Sequence, residues 1–131
     1  PITHVAMLEG KPEQYRTSIL DSIYASLRNI LDVPEGDCFM TISEHSPVNF
    51  RYGQAFGIKR TDDLLYIRIT IFDTRPQEQK AALFKELSRS LQNSLGIRPE
   101  DVFVLIYESK KENWSVGLGE MQFKPGNPSH A

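Results

Sequence analysis

The sequence contains two copies of one unit, and this repeat restricts the possible folds more than any other feature. When the chain is shifted by 64 positions against itself, nine identical residues coincide between residues 12–44 and residues 76–108, in one register without a gap. The identical pairs are Pro12 and Pro76, Ser26 and Ser90, Leu27 and Leu91, Asn29 and Asn93, Leu31 and Leu95, Asp37 and Asp101, Phe39 and Phe103, Ile42 and Ile106, and Glu44 and Glu108. The fold therefore has to contain the same order of elements twice.

The first copy has the pattern of a strand, a helix and a second strand. Residues 2–8 form a short apolar run, which is typical of a strand. Over residues 12–31 apolar side chains recur at every fourth position, which predicts a helix with one apolar stripe. Pro12 suits the first turn of that helix, where its missing N–H costs nothing. Residues 32–36 break the helix, and residues 38–44 predict the second strand.

The second copy repeats this order. Residues 64–72 predict a strand, residues 76–95 a helix with its own apolar stripe, and residues 102–108 a final strand. Between the copies, residues 46–63 contain proline, glycine and paired aspartates, and they predict a connecting loop with room for a short hairpin. The segment after the last strand predicts irregular structure.

The length of 131 residues predicts a single domain, because domains usually contain roughly 100–150 residues. The repeat divides this domain into two halves, residues 1–63 and residues 64–124. We expect residues 125–131, which are rich in proline, glycine and small polar side chains, to form a mobile tail.

Two strand–helix–strand units joined in one chain predict an α/β fold. Each unit has a right-handed crossover and a parallel pair of strands, and together they form a four-stranded mixed sheet with both helices on one face. The other face stays uncovered, and an uncovered apolar face predicts an oligomer. The apolar sets expected on that face are Val5 with Met7 or Ile2 with Ala6, together with Ile67, Ile69 and Ile71.

The charge balance argues against a nucleic-acid surface. The 15 lysines and arginines against 17 aspartates and glutamates give a net charge of -2, whereas nucleic-acid binders carry a basic excess. No apolar run approaches the roughly 20 residues of a membrane span. Cys38 is the single cysteine, and the three histidines lack the spacing of metal ligands. We expect a cytoplasmic protein without nucleic-acid, membrane or metal partners.

Three functional groups are expected to converge at one edge of the predicted sheet. Parallel strands begin at the same edge, which places Pro1 near Asp37, the residue just before the second strand. If the two units are related by a pseudo-two-fold axis, the third strand runs opposite to the first. It then ends at that same edge with residues 73–75, the last of which is Arg75. A secondary amine, a carboxylate and a guanidinium therefore meet there.

The chemistry of these groups predicts an enzyme for a small carboxylated carbonyl compound. An unblocked N-terminal proline is a general base when neutral, a general acid when protonated, and a nucleophile toward carbonyl carbon. Arg75 offers a bidentate fork for a substrate carboxylate, and the helix that follows adds its N-terminal dipole. Asp37 is expected to orient a water molecule or to hold the proton of the amine.

Several short segments carry a family pattern. They are Pro1, residues 9–10, residues 33–37, Arg75, residues 78–80, residues 98–102 and residues 113–119. In this order and spacing, over nearly the whole chain, they resemble the tautomerase superfamily and within it the malonate semialdehyde decarboxylase group. The resemblance implies a doubled β-α-β fold, a homotrimer, no metal or organic cofactor, and a processed N-terminus with Pro1 as the catalytic group.

The resemblance also implies a role for individual residues. It makes Pro1 the acid or base, Asp37 the carboxylate that polarises or activates water, and Arg75 the anchor of the substrate carboxylate. The residues that it implies for an apolar pocket wall are Trp114, Val116 and Phe123.

Two positions depart from the decarboxylase pattern. Val116 is smaller than the aromatic residue favoured there, and Asp73 stands where the pattern can carry a second arginine. We expect Asp73 to weaken anion binding and to modulate the site. Because Asp73 departs from the decarboxylase pattern, we expect keto–enol tautomerisation as the reaction, with decarboxylation or hydration as the alternative. A binding or signalling protein that has lost the chemistry is the distant alternative, because fold does not fix function.

Overall fold

The computed structural model describes residues 1–124, so the tail predicted over residues 125–131 lies outside the described residues. Within this range each copy of the repeat forms a strand, a long helix and a second strand. The elements are β1 (Ile2–Leu8), α1 (Glu13–Leu31), β2 (Met40–His45), β3 (Leu65–Phe72), α2 (Gln77–Leu95) and β4 (Val102–Ser109). The predicted order of elements is therefore confirmed.

The strands form one four-stranded mixed sheet in the order β2-β1-β3-β4. The pairs β1–β2 and β3–β4 are parallel, and the central pair β1–β3 is antiparallel. In the central pair Ile2 lies opposite Thr70. The predicted α/β architecture is confirmed, and its antiparallel centre brings the start of β1 and the end of β3 to the same edge.

The two helices start in the same way and end differently. Pro12 and Pro76 occupy the N-cap positions with extended backbone, one residue earlier than the predicted first turn. Helix α1 ends at Asp32 in the left-handed region with φ 51°, a conformation that aspartate tolerates better than most residues. Helix α2 ends at Gly96 with φ 68°, where its N–H donates to carbonyls of the last turn.

The hydrophobic core lies between the helices and one face of the sheet. The predicted helical stripes supply its upper layer, and alternate residues of β1 and β3 supply the lower one. The central buried residues are Val5, Met7, Ile19, Ile23, Leu27, Leu65, Ile67, Ile69, Ile71, Leu83, Leu87 and Leu91. Removing a buried leucine side chain from such a layer costs about 2–5 kcal/mol.

The expected assignment of residues to the two sheet faces is partly wrong. Val5 and Met7 lie beneath the helices, as do Ile67, Ile69 and Ile71. The opposite face, called the open face below, carries the alternative set with Ile2 and Ala6. Its large exposed apolar side chains are Ile2, Phe39, Phe103, Leu105 and Tyr107. The error arises because both faces of the central strands are largely apolar, so alternation alone does not show which face the helices cover.

The connection between the copies contains no hairpin. Residues 46–63 form two short 3-10 turns, Pro47–Asn49 and Ala55–Gly57. Phe50 anchors this loop because it is buried and its ring centroid lies 5.1 Å from that of Tyr66. No helix in the described part of the chain is both long and apolar enough to cross a bilayer.

Candidate functional site

The structure brings Pro1 and Asp37 together at the edge where β1 begins. The Pro1 nitrogen lies 3.5 Å from Oδ1 of Asp37. The Pro1 side chain is 10% exposed and that of Asp37 is 25% exposed, so the pair is sheltered but still open to a small molecule. Asp37 lies three residues before β2 rather than directly before it, because β2 begins at Met40.

A tight turn after α1 places Asp37. Its N–H donates to the carbonyl of Pro34 at 3.0 Å. Gly36 adopts φ 87°, a left-handed conformation that favours glycine, and its N–H donates to the hydroxyl of Tyr24 at 3.0 Å. The N–H of Thr3 then donates to the carbonyl of Phe39 and joins the turn to β1. The Pro34–Gly36 pattern therefore fixes the carboxylate beside the first residue of β1.

Arg75 lies at the same edge but has a structural contact that the sequence analysis missed. Its Nη1 donates to the carbonyl of Leu31 at 2.6 Å, at the C-terminal end of α1. Gln79 donates to the neighbouring carbonyl of Ile30 at 2.8 Å. Both contacts suit a helix end that carries partial negative charge. A guanidinium has five N–H donors, so one bond to Leu31 leaves others for an anion.

An aromatic cluster forms beside this edge. The ring centroid of Phe72 lies 5.4 Å from that of Trp114 and 5.0 Å from that of Phe123, both in edge-to-face geometry. Trp114 and Phe123 therefore both contact Phe72, and their role as a pocket wall stays a prediction. Phe72 was missed, although it ends the predicted strand 64–72 and its position in the alternation places it on the open face.

Val116 and Asp73 have more exposed positions. Val116 is 57% exposed, and its N–H donates to Oε1 of Gln122 at 3.1 Å. Asp73 is exposed and extends the β3–β4 pairing by donating its N–H to the carbonyl of Ser109 at 3.2 Å. Its carboxyl group adds negative charge to the edge that carries Arg75.

The sequence matches known families along most of its length. A family model described as "Tautomerase enzyme" matches residues 37–117. The probable tautomerase YusQ of Bacillus subtilis (strain 168) is 32% identical over 123 residues, covering 93% of this chain and 97% of that protein. The probable tautomerase YrdN of the same organism is 30% identical over 128 residues, covering 96% and 98% respectively.

Solved structures show the same relationship. A malonate semialdehyde decarboxylase, solved as wild type, P1A mutant and inactivated protein, matches with a TM-score of 0.87 and 27% identity over 94% of this chain and 95% of that one. A fused 4-OT symmetric trimer has the same fold, with a TM-score of 0.77 and 20% identity over 92% and 94% of the two chains. The chain belongs to the tautomerase superfamily and, within it, resembles malonate semialdehyde decarboxylase.

Proposed function

We propose that this protein is a Pro1-dependent enzyme that interconverts the keto and enol forms of a small carboxylated carbonyl compound. The observation that carries the proposal is the 3.5 Å approach of the Pro1 nitrogen to Asp37 at the edge where Arg75 also lies. Proton transfer at the carbon next to the carbonyl of a 2-oxo acid requires an acid–base group that carries the proton. A neighbouring carboxylate and a cation stabilise the charges of that group and of the substrate.

Each group has a distinct task in this mechanism. The guanidinium of Arg75 binds the substrate carboxylate with the donors that Leu31 does not use. Neutral Pro1 takes a proton from the carbon beside the carbonyl, the electron pair of that C–H bond moves toward the carbonyl oxygen, and the proton returns at the other position. Asp37 holds the proton on the amine between these two steps. Phe72, Trp114 and Phe123 form the apolar side of the site.

The main alternative is decarboxylation or hydration. The structural likeness at 27% identity to a malonate semialdehyde decarboxylase with decarboxylase and hydratase activities favours it. In that reaction protonated Pro1 would polarise the carbonyl oxygen, and Asp37 would activate water. Asp73 counts against it, because the decarboxylase pattern can carry a second arginine at this position.

Replacement of Pro1 tests the proposed function directly. We expect Pro1→Ala to lower turnover of a panel of 2-oxo acids, enols and acetylenic acids by about 10²–10⁴-fold, the usual contribution of a general acid or base. The intact mass of the wild-type protein has to show a free N-terminal Pro1. Unchanged turnover of the whole panel in Pro1→Ala would favour the non-catalytic alternative.

The protonation state of Pro1 separates tautomerisation from the alternative. The base mechanism requires a neutral amine in the working enzyme, because only the neutral form is a base, and ¹⁵N NMR of the labelled proline nitrogen measures which form is present. A nitrogen that stays protonated up to about pH 9 would rule out the base mechanism and support the acid mechanism of decarboxylation or hydration.

We also propose that the protein is a homotrimer that covers its open face. The support is the row of exposed apolar residues on that face, together with the trimeric assembly of the fused 4-OT protein of the same fold. Light scattering should give three times the mass of one chain, and Leu105→Glu should dissociate the trimer. Val48→Glu, in the connecting loop, is the matched control and should leave the mass unchanged. A monomeric wild-type protein would contradict the proposal.

A further inference from the structure

The turn that carries Asp37 is held by a side chain of α1 that has no role in the mechanism described so far. The hydroxyl oxygen of Tyr24 accepts a hydrogen bond of 3.0 Å from the N–H of Gly36. Gly36 directly precedes Asp37, whose carboxylate lies 3.5 Å from the Pro1 nitrogen. Tyr24 is therefore linked to the Pro1–Asp37 pair through one hydrogen bond and the peptide bond from Gly36 to Asp37.

The conformation of Gly36 explains why the turn needs such a bond. Its φ of 87° lies in the left-handed region, which glycine reaches without strain. Glycine also populates many other backbone conformations, so the residue that permits this turn also permits its rearrangement. The hydrogen bond from the N–H of Gly36 to Tyr24 opposes that rearrangement, because a rearranged turn has to break it.

A second side chain of the same helix holds the start of the turn. Nη1 of Arg28 donates to the carbonyl of Val33 at 2.6 Å. Arg28 follows Tyr24 by four residues, so the two side chains lie on the same face of α1. The segment from Val33 to Gly36 is thereby attached to the helix at both ends, and the hydroxyl of Tyr24 is the attachment nearer to Asp37.

The second copy of the repeat holds its turn in another way. The counterparts of Tyr24 and Arg28 in α2 are Ser88 and Gln92. Within residues 1–124, the side-chain hydrogen bonds that join the corresponding turn, residues 97–101, to the rest of the structure reach the connecting loop and not α2. The contact from helix to turn therefore belongs to the copy whose acid lies beside the N-terminal nitrogen.

We propose that Tyr24 is a positioning residue that holds Asp37 beside the Pro1 nitrogen during proton transfer. This inference rests on the proposed function, in which Asp37 holds the proton on the amine. Tyr24 acts through Gly36, so it affects the proton-transfer step and not the binding of the substrate. A loosened turn lets the carboxylate move away from the amine, and the reaction then proceeds only from the molecules that keep the productive geometry.

Tyr24→Phe tests the proposal, because it removes the hydroxyl and keeps the ring. We expect it to lower kcat for the panel of 2-oxo acids and enols by about 3–10-fold, the scale of one lost hydrogen bond, with KM nearly unchanged. In an Asp37→Asn background the same substitution should lower kcat by less than about twofold, because the charge that the turn positions is already gone. Tyr15→Phe is the matched control and should keep kcat within about twofold. Tyr15 lies on the same helix and is also half-buried, but its ring contacts Lys11 and not the turn.

The motion of the turn tests the inference without catalysis. ¹⁵N relaxation should give the amides of Gly36 and Asp37 order parameters near about 0.85 in the wild type and Tyr15→Phe, and below about 0.6 in Tyr24→Phe. Rigid amides in Tyr24→Phe, or an equal loss of kcat with and without the Asp37 carboxylate, would overturn the inference. The proposed function would stand in that case if Pro1→Ala still abolishes turnover. If Pro1→Ala keeps full turnover, the proposed function fails, and the amide motion alone decides whether Tyr24 holds the turn.

Discussion

The two copies of the repeat place the same acid at opposite edges of the sheet, and the two acids have different surroundings. Asp101, the repeat counterpart of Asp37, is fully buried. Its carboxylate accepts hydrogen bonds from the N–H and the hydroxyl of Thr61, at 2.7 Å and 2.6 Å. Asp37 is partly exposed and faces the nitrogen of Pro1. The same residue type at the same place in the repeat accepts hydrogen bonds from the connecting loop in one half and lies beside the N-terminal nitrogen in the other.

The cations at the two edges also differ in their partners. Lys11 is the repeat counterpart of Arg75, and its Nζ lies 2.6 Å from the carboxylate of Asp63. Arg75 bonds to a neutral carbonyl, that of Leu31, and keeps its net charge. At the start of β3, Lys11 is paired with a carboxylate, whereas Arg75 forms no ion pair with a carboxylate in the described part of the chain. The two edges therefore differ in the partners of their charged groups, although the residue types correspond.

The largest expected difference between the edges comes from removing each acid. Asp101→Ala leaves two donors of Thr61 without their acceptor, so we expect a loss of about 3 kcal/mol in the free energy of unfolding. The folded fraction should keep its activity. Asp37→Ala should cost less than about 1 kcal/mol and lower kcat by about 10²-fold. Urea unfolding and turnover, measured on both variants, test this contrast.

One outcome would remove the contrast between the acids. If Asp37→Ala destabilises the protein as much as Asp101→Ala and leaves kcat unchanged, Asp37 is a turn anchor like its counterpart. Asp37→Asn adds a sharper measurement, because it keeps the shape of the side chain and removes only the charge. It should reproduce the loss in kcat with little loss of stability.

Removing each cation should give a smaller difference. Arg75→Met should raise KM for carboxylated substrates by about 10–100-fold, the scale of a lost charged hydrogen bond, and should cost about 1 kcal/mol through the freed carbonyl of Leu31. Lys11→Met should leave KM unchanged. Substrate methyl esters provide the control, since the wild type and Arg75→Met should use them equally well. A KM effect that persists with the esters would show that Arg75 acts through structure alone.

Much of the fold could be predicted because the same pattern of strand, helix and strand occurs twice in the sequence. Helix α2 could be predicted from the apolar stripe of Leu83, Leu87 and Leu91, because a helix at a protein surface buries only one face. The corresponding stripe predicts α1. The meeting of Pro1 with Asp37 follows from the parallel pairing of β1 and β2. These features depend on periodicity and topology, which a sequence shows directly.

The rest of the site depends on contacts between segments without periodicity. The bond from Arg75 to Leu31 joins residues of different repeats, and nothing in either segment identifies its partner. Trp114 contacts Phe72 only because the chain after β4 folds back. Such contacts are selected by packing in three dimensions, so the sequence pattern alone does not reveal them.

The smallest expected effect concerns the pH dependence of the Lys11–Asp63 pair. The hydrogen bond to Asp63 raises the pKa of Lys11 above its ordinary value of 10.5, although burial opposes this shift. Both side chains are partly exposed, so solvent screening limits the contribution to a few tenths of a kcal/mol. We expect the stability difference between the wild type and Lys11→Met to be constant at neutral pH.

The sign of this dependence follows from the raised pKa. A group whose pKa is higher in the folded protein binds its proton more tightly there, so its contribution is complete below about pH 10.5 and is lost as the pH rises through the folded value. Tyr15, beneath the ammonium, also has a pKa raised mainly by burial, although the charge of Lys11 lowers it, so Lys11→Met alters both groups. Tyr15→Phe in both proteins removes the phenol from the comparison. Urea unfolding of the wild type and Lys11→Met at pH 8, 10 and 11 should therefore show a gap that closes only at the highest pH. A gap that stays the same up to pH 11 would show that Lys11 contributes through its hydrocarbon chain rather than through its charge, because hydrocarbon packing does not depend on pH.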